Sequence, residues 1–391
     1  MLRDIGKIVA SARKRLNLDV QGLATRASVE AAVLSALEKG KPGITTTEID
    51  RIAEQLELDP AALLLGRDTP RPKSSIFLRH QGHQDFDFDA ESVLDEALEA
   101  GRSLRFLNGA LKCTPSPRLW SKTALARVGR GPAAQEGYRL ANALRQLIKL
   151  PSEPLPDVGE LLEERFEIAV VVETLPSAKM TAVSVRDAAG AAAIVLNASD
   201  AHRSSNTQLA RVYVTHELAH IMYDPSDGGL HIVIDREDAG PQASTVERAE
   251  QRAKAFAAEF LMPLHGLLDL LGTPEAVTST TRARDLVSRA RKHFSTPWEI
   301  AANHLNHHGF ISNEARETLL HQRPKDAPTG LLATRLPDPG ASSIALSERV
   351  RRAHRDGLIT DGQVRVALKL AVDDPLPADA NPDVIADVPP R

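Results

Sequence analysis

Tyr213-Val214-Thr215-His216-Glu217-Leu218-Ala219-His220-Ile221-Met222 is the stretch on which the reading of this chain turns. It holds a His-Glu-x-x-His arrangement inside an apolar, helix-compatible frame. Four-residue spacing puts both imidazoles on one face of a helix, where they can hold one Zn²⁺ at about 2.0–2.1 Å. Glu217 then sits beside the ion. The ion would lower the pKa of a bound water towards about 7, and Glu217 can take the proton and pass it to a departing amine. That is the chemistry of peptide-bond hydrolysis. The bare pattern also occurs on ordinary helices whose histidines face solvent, so its surroundings decide its weight.

Those surroundings are favourable. Upstream, Phe166 to Glu173 and Ala191 to Asn197 are strand-like runs, which predicts a small sheet ahead of the motif helix. Downstream, Val246 to Leu261 reads as a second helix, with Glu247, Glu250 and Glu259 as its carboxylates. Glu250 shares a face with Ala253, Ala257 and Leu261, and small residues there let the helix approach a metal closely, whereas Glu259 lies well round the helix. Glu250 is therefore the expected third ligand, with Glu247 as the alternative and a solvated surface carboxylate as the bland reading.

The whole chain has 391 residues, enough for two or three domains. The first 67 residues read as short amphipathic helices: Ile5 to Leu16, Val20 to Ala27, Val29 to Glu38, Thr46 to Leu56 and Pro60 to Leu65. That spacing suits a helix-turn-helix module. Its groove-facing helix, Ser28 to Ser35, offers no Arg, Lys, Asn or Gln for base contacts, which favours docking or dimerisation over DNA reading. The expected segments are 1–67 helix-turn-helix, 76–150 a helical basic region with an inhibitory loop, 151–323 the metal-bearing domain, 324–372 a helical extension and 373–391 a disordered tail. The fold class expected is α+β, mostly α.

Composition narrows the setting. One cysteine, Cys113, permits no intramolecular disulfide, no charged-then-apolar leader stands at the front, and no apolar run approaches the roughly 20 residues of a membrane span. A cytoplasmic protein without a membrane partner is expected. The net charge of −4 conceals a basic stretch: from Gly101 to Leu150 ten Lys and Arg residues stand against the single acid Glu136. Arg102, Arg105, Lys112, Arg118, Trp120 and Lys122 in that stretch are the residues expected to attract single-stranded nucleic acid, an aromatic among cations being a stacking platform.

Two parts of the chain resemble known families. Leu23-Ala24, Glu38-Lys39-Gly40-Lys41 and Ile52-Ala53-Glu54-Gln55-Leu56 stand in a frame that resembles the Xre/Cro-type helix-turn-helix. Val214-Thr215-His216-Glu217-Leu218-Ala219-His220, followed by Glu250-Gln251-Arg252-Ala253-Lys254-Ala255-Phe256-Ala257-Ala258-Glu259-Phe260-Leu261-Met262-Pro263, resembles the paired signatures of the ImmA/IrrE metallopeptidases over about residues 160–320. The leading Glu of the second signature maps onto Glu250. The sequence departs from the pattern at Ala219, where Gly is usual, and at Lys254, where Asn is usual. The resemblance implies a zincin-like domain with Zn²⁺ on His216, His220 and Glu250. It also implies an endopeptidase that cleaves a helix-turn-helix repressor when DNA is damaged or a phage-defence system is roused. With a helix-turn-helix unit in front, the architecture is similar to CapP-type proteins beside anti-phage signalling operons. The competing reading is a DNA-binding regulator whose metal site is structural and non-catalytic.

Such a protease needs a restraint. Thiolate is a strong zinc ligand, and Lys112-Cys113-Thr114-Pro115-Ser116-Pro117-Arg118 is an irregular loop that loosely resembles the cysteine-switch peptide of matrix metalloprotease propeptides. Cys113 is thus an expected inhibitory metal ligand, and single-stranded DNA bound nearby the expected means of displacing it. The bland alternative is a buried cysteine acting as a small hydrophobe.

Overall fold

The computed structural model describes residues 2–15, 18–41, 43–56, 58, 63, 88–113, 131–149, 152–175, 180–187, 189–198, 207–224, 231–236, 244–324, 334–371 and 374–377. Its contacts divide the chain into two compact units, Met1–Ile76 and Phe77–Arg391.

In the first unit four helices, α1 (Leu2–Arg15), α2 (Val20–Arg26), α3 (Ala31–Glu38) and α4 (Thr46–Gln55), close over Ile5, Val9, Leu23, Leu34, Leu37 and Ile52. Local signals set their ends: Asp19 caps α2 by accepting from Gly22 N at 2.6 Å, and Thr45 and Glu48 cap each other's backbone ahead of α4. Gly6 lets α1 press on α3, since a Cβ there would lie 2.0 Å from Leu37 O. Arg13 grips both oxygens of Glu38, at 2.6 and 2.9 Å. The helix expected over Pro60–Leu65 lies outside the described residues except at Leu63.

The second unit is built in layers around a four-stranded sheet. Its first elements are α5 (Phe88–Ala110), α6 (Ala133–Leu147), α7 (Val158–Phe166), β1 (Ile168–Glu173), β2 (Met180–Arg186) and β3 (Ala192–Asn197). Then come α8 (Thr207–Tyr223), β4 (His231–Arg236) and α9 (Ser244–Leu261). The sheet order is β1-β3-β2-β4, with β1 parallel to β3 and the other pairs antiparallel. Helix α5 packs on one face and α8 on the other, α9 packs on α8, and α6 packs on α9. Coverage on both faces explains why β1 and β3 are continuous apolar runs rather than alternating ones. It also explains why α8 is buried all round from Val214 to Met222.

Phe166 ends α7 instead of starting a strand, because Glu167 adopts the left-handed conformation (φ 56°, ψ 34°) and turns the chain into β1. Ser279 to Leu320 reads from sequence as helical with a cap and new start at Phe294–Glu299, and it forms three helices, α11 (Thr280–Phe294), α12 (Trp298–His307) and α13 (Asn313–His321), which follow α10 (Leu264–Leu271). Ser295 in the left-handed region and Pro297 break the first from the second. The C-terminal extension forms α14 (Ile344–Arg355) and α15 (Asp361–Ala367). It is fastened by the buried Glu163 carboxylate, which accepts from Val170 N at 3.1 Å and Ala345 N at 2.9 Å and so ties α7, β1 and α14 together. No helix among the described residues is long and apolar enough to cross a membrane.

Candidate metal centre

Helix α8 presents His216 and His220 on one face, and α9 crosses it so that Glu250 meets both. The two imidazole Nε2 atoms are 3.0 Å apart, and each is 3.3 Å from an oxygen of Glu250. Two ring nitrogens cannot both point a lone pair at one another at that distance without a proton or a cation to share. The donor set, two imidazoles and one carboxylate, is that of a divalent transition metal. Glu250 Oε2 supports the fit: it is buried, and among the described residues it meets only the His216 imidazole, at 3.3 Å.

The electrostatics favour a cation. Burial opposes charge on His220, yet the Asp224 and Glu250 carboxylates outweigh it and push the imidazole up to about 10. Burial likewise opposes ionisation of Glu250, but hydrogen bonding to His216 and His220 holds it well below the usual carboxylate range. Glu217, fully buried on the same helix, adds a further carboxylate.

Beyond the three converging side chains lie partners that the sequence reading missed. Asp224 Oδ2 stands 2.8 Å from His220 Nδ1, and Arg252 from α9 donates to the other oxygen of Asp224. Asp224 follows His220 by the same four residues that separate the histidines, a signal available in the sequence. Arg252 gave no such signal.

A second grouping, Glu259 with His304 and His308, has the same composition and the same histidine spacing. Its bonding differs. His304 Nε2 donates to Met262 O at 2.9 Å and lies 3.2 Å from Glu259 Oε2, while its Nδ1 is buried with no partner among the described residues. This imidazole therefore carries its proton on Nε2, the atom a metal would need. Glu259 Oε1 also accepts from Asn142 Nδ2 and Leu264 N, at 2.9 and 3.0 Å, joining α6, α9 and the start of α10, while Oε2 lies 3.0 Å from His308 Nε2.

Of the other residues singled out from sequence, those that are described are not drawn into the first cluster. Cys113, partly exposed just after α5, gives its N–H to Asn108 O at 2.9 Å and belongs to neither metal-capable group among the described residues. Arg102 is paired with Asp187 at 3.0 Å and Glu99 at 3.3 Å, and Arg105 donates to Ala189 O, so both guanidiniums tie α5 to the turn between β2 and β3. Lys112 is exposed in the left-handed conformation. Arg118, Trp120 and Lys122, and the side chain of Glu247, lie outside the described residues.

Residues 163–306 match the family model Peptidase_M78, described as the IrrE N-terminal-like domain. The matched stretch runs from the end of α7 to α12 and contains His216, Glu217, His220 and Glu250. This part of the chain is thus similar to a metallopeptidase family that is typically metal-dependent. Comparison with curated proteins and with solved structures gave no match.

Proposed function

We propose that this chain is a zinc-dependent endopeptidase with His216, His220 and Glu250 as metal ligands and Glu217 as general base. The observation that carries the reading is the convergence of three ligand atoms from two crossing helices inside the family-matched segment. When bound, the cation supplies Lewis acidity to the centre. The chain supplies the rest. Asp224 keeps the His220 Nδ1 proton occupied, leaving Nε2 to ligate. Glu217, enclosed by α8 and its neighbours, accepts a proton from the attacking water and returns one to the leaving amine.

The substrate proposed is a helix-turn-helix repressor, and the first unit, proposed from its sequence to be a helix-turn-helix module, is proposed to recognise it. A cytoplasmic setting, single-stranded DNA as activator and Cys113 as an inhibitory latch are proposed on the sequence grounds given above. The latch requires the C-terminal end of α5 to be brought to the metal.

The test is incubation of the full chain and its Glu217→Gln variant with the repressor encoded beside it, with and without single-stranded DNA, followed by mass spectrometry of fragments. The reading expects one defined cut, lost in the variant while the metal is retained. Unchanged cleavage by the variant removes Glu217 from the mechanism. A metal held without any cleavage favours the structural, non-catalytic site.

A further inference from the structure

From His220 a line of charged side chains leads away from the metal centre. Asp224 Oδ2 faces His220 Nδ1 at 2.8 Å, and Asp224 Oδ1 accepts from Arg252 Nη2. Arg252 Nη1 in turn lies 3.8 Å from Glu136 Oε1. Asp224, Arg252 and Glu136 have side chains only 10, 15 and 10% exposed, so solvent screens the line weakly. Glu136 belongs to α6, which lies wholly outside the family-matched residues 163–306.

We propose that Asp224, Arg252 and Glu136 form a positioning relay that holds His220 in its ligating tautomer, and that α6 is therefore an integral part of the metal centre. The proposal rests on the zinc reading above and deepens it. A histidine offers Nε2 to a metal only while Nδ1 carries the proton, and a partner on Nδ1 fixes both tautomer and ring angle. Asp224 stands one residue past the end of α8, where a carboxylate held at one oxygen can still rotate away. A second hold on Oδ1 removes that freedom. Arg252 suits the task because its planar fork can face two carboxylates at once, which an ammonium cannot do in fixed geometry. Glu136 occupies the far side of the fork and keeps the guanidinium from swinging out.

Backbone packing fixes Glu136 itself. Its neighbour Gly137 sits so close to α9 that a Cβ there would lie 2.3 Å from Arg252 O and 2.8 Å from Phe256 N. Charges alternate along the line, so the arginine adds no unopposed positive charge beside the cation site. The Glu259 grouping supplies an internal contrast: there His304 has no partner on Nδ1 among the described residues and its Nε2 is turned to a carbonyl.

The test is zinc affinity of the full chain, measured by competition with a chelating dye, for the parent and for Asp224→Asn, Arg252→Met, Arg252→Lys, Glu136→Gln and the double variant Asp224→Asn/Arg252→Met. Circular dichroism of the metal-free proteins confirms that each is folded, and the near-isosteric Asn and Gln variants and the Lys variant remain informative where Met disrupts packing. Loss of an outer partner of a ligating histidine typically weakens binding roughly 10–100-fold, and that range is expected for Asp224→Asn. Arg252→Met should weaken binding in the same direction, Arg252→Lys should recover part of the loss, and Glu136→Gln should show the smallest loss. Because the groups act in series, the double variant should bind no more weakly than Asp224→Asn alone. Parent-like affinity in Arg252→Met or Glu136→Gln overturns the relay, as does an Arg252→Met loss that adds in full to that of Asp224→Asn. A parent protein that binds no zinc overturns the metal-centre reading instead, and the relay with it.

Discussion

Replacing Gly137 with Ala should destabilise the second unit, although helix propensity alone says the opposite. Ala is better than Gly in a helix interior by up to about 1 kcal/mol. At Gly137, however, the added Cβ would come within 2.3 Å of Arg252 O, 2.8 Å of Phe256 N and 2.9 Å of the Ala255 Cβ. Two of these are backbone atoms of α9 and cannot swing aside, so restoring ordinary contact requires α6 and α9 to separate by about 1 Å. Overpacking costs about 1–3 kcal/mol, and contacts this close to backbone belong at the upper end, about 2–3 kcal/mol, which leaves a net loss of about 1–2 kcal/mol after the propensity gain. The same separation stretches the Glu136–Arg252 approach beyond its present 3.8 Å. Zinc affinity should therefore fall along with stability. Urea unfolding followed by far-ultraviolet circular dichroism measures the first effect, and Gly109→Ala is the matched control. Gly109 is also helical, but a Cβ there meets nothing within 4 Å. That variant should be neutral or slightly more stable. If Gly137→Ala were as stable as the parent, or more so, the account of α6 pressed on α9 would be refuted.

Other expectations follow from single interactions. Burial pushes Glu163 up to about 7 from its ordinary 4.5, against hydrogen bonds from Ala345 and Val170. A carboxyl with a raised folded pKa contributes stability below about pH 4.5 that is lost as pH rises through about 7, so the parent should lose roughly 3 kcal/mol over that window relative to Glu163→Gln. Parallel unfolding curves for the two proteins from pH 4.5 to 8 would contradict this. Arg13→Met strands Glu38 at a half-buried site in the first unit and should cost about 2–3 kcal/mol; a loss below about 0.5 kcal/mol, as for an exposed pair, would show that the bidentate contact contributes little. Chelation of the metal should lower the unfolding temperature of the parent and leave Glu250→Ala unchanged, since only a folded site that binds the ion gains stability from it. Equal shifts in both proteins would remove Glu250 from the ligand set.

What the sequence made legible was whatever repeats at helical period. His216 and His220 are one turn apart, and the small-residue face of α9 favoured Glu250 over Glu259, with Glu247 left as the alternative; His216, His220 and Glu250 reach one point. The strands β1 and β3 were visible because burial on both faces makes them unbroken apolar runs. The strands β2 and β4 carry a mixed pattern and were not seen. Nor was α7, which follows the proline-marked joint at Pro151–Pro156, and nothing in the residue type of Glu167 announces the left-handed turn that separates it from β1. The relay was half legible: Asp224 continues the four-residue spacing of the histidines, whereas Arg252 and Glu136 meet only because α6 and α9 pack side by side. For the same reason Arg102 and Arg105, read as part of a basic attractant for polyanions, are found bound to the turn between β2 and β3, a contact between residues more than 80 positions apart.

The central claim is most directly tested by metal content. Native mass spectrometry of the full chain, purified without chelator and then offered Zn²⁺, should show one ion per chain in the parent and none in a His216→Ala/His220→Ala variant that keeps its helical circular dichroism. A parent that holds no ion under these conditions, or a double variant that holds as much as the parent, would contradict the account.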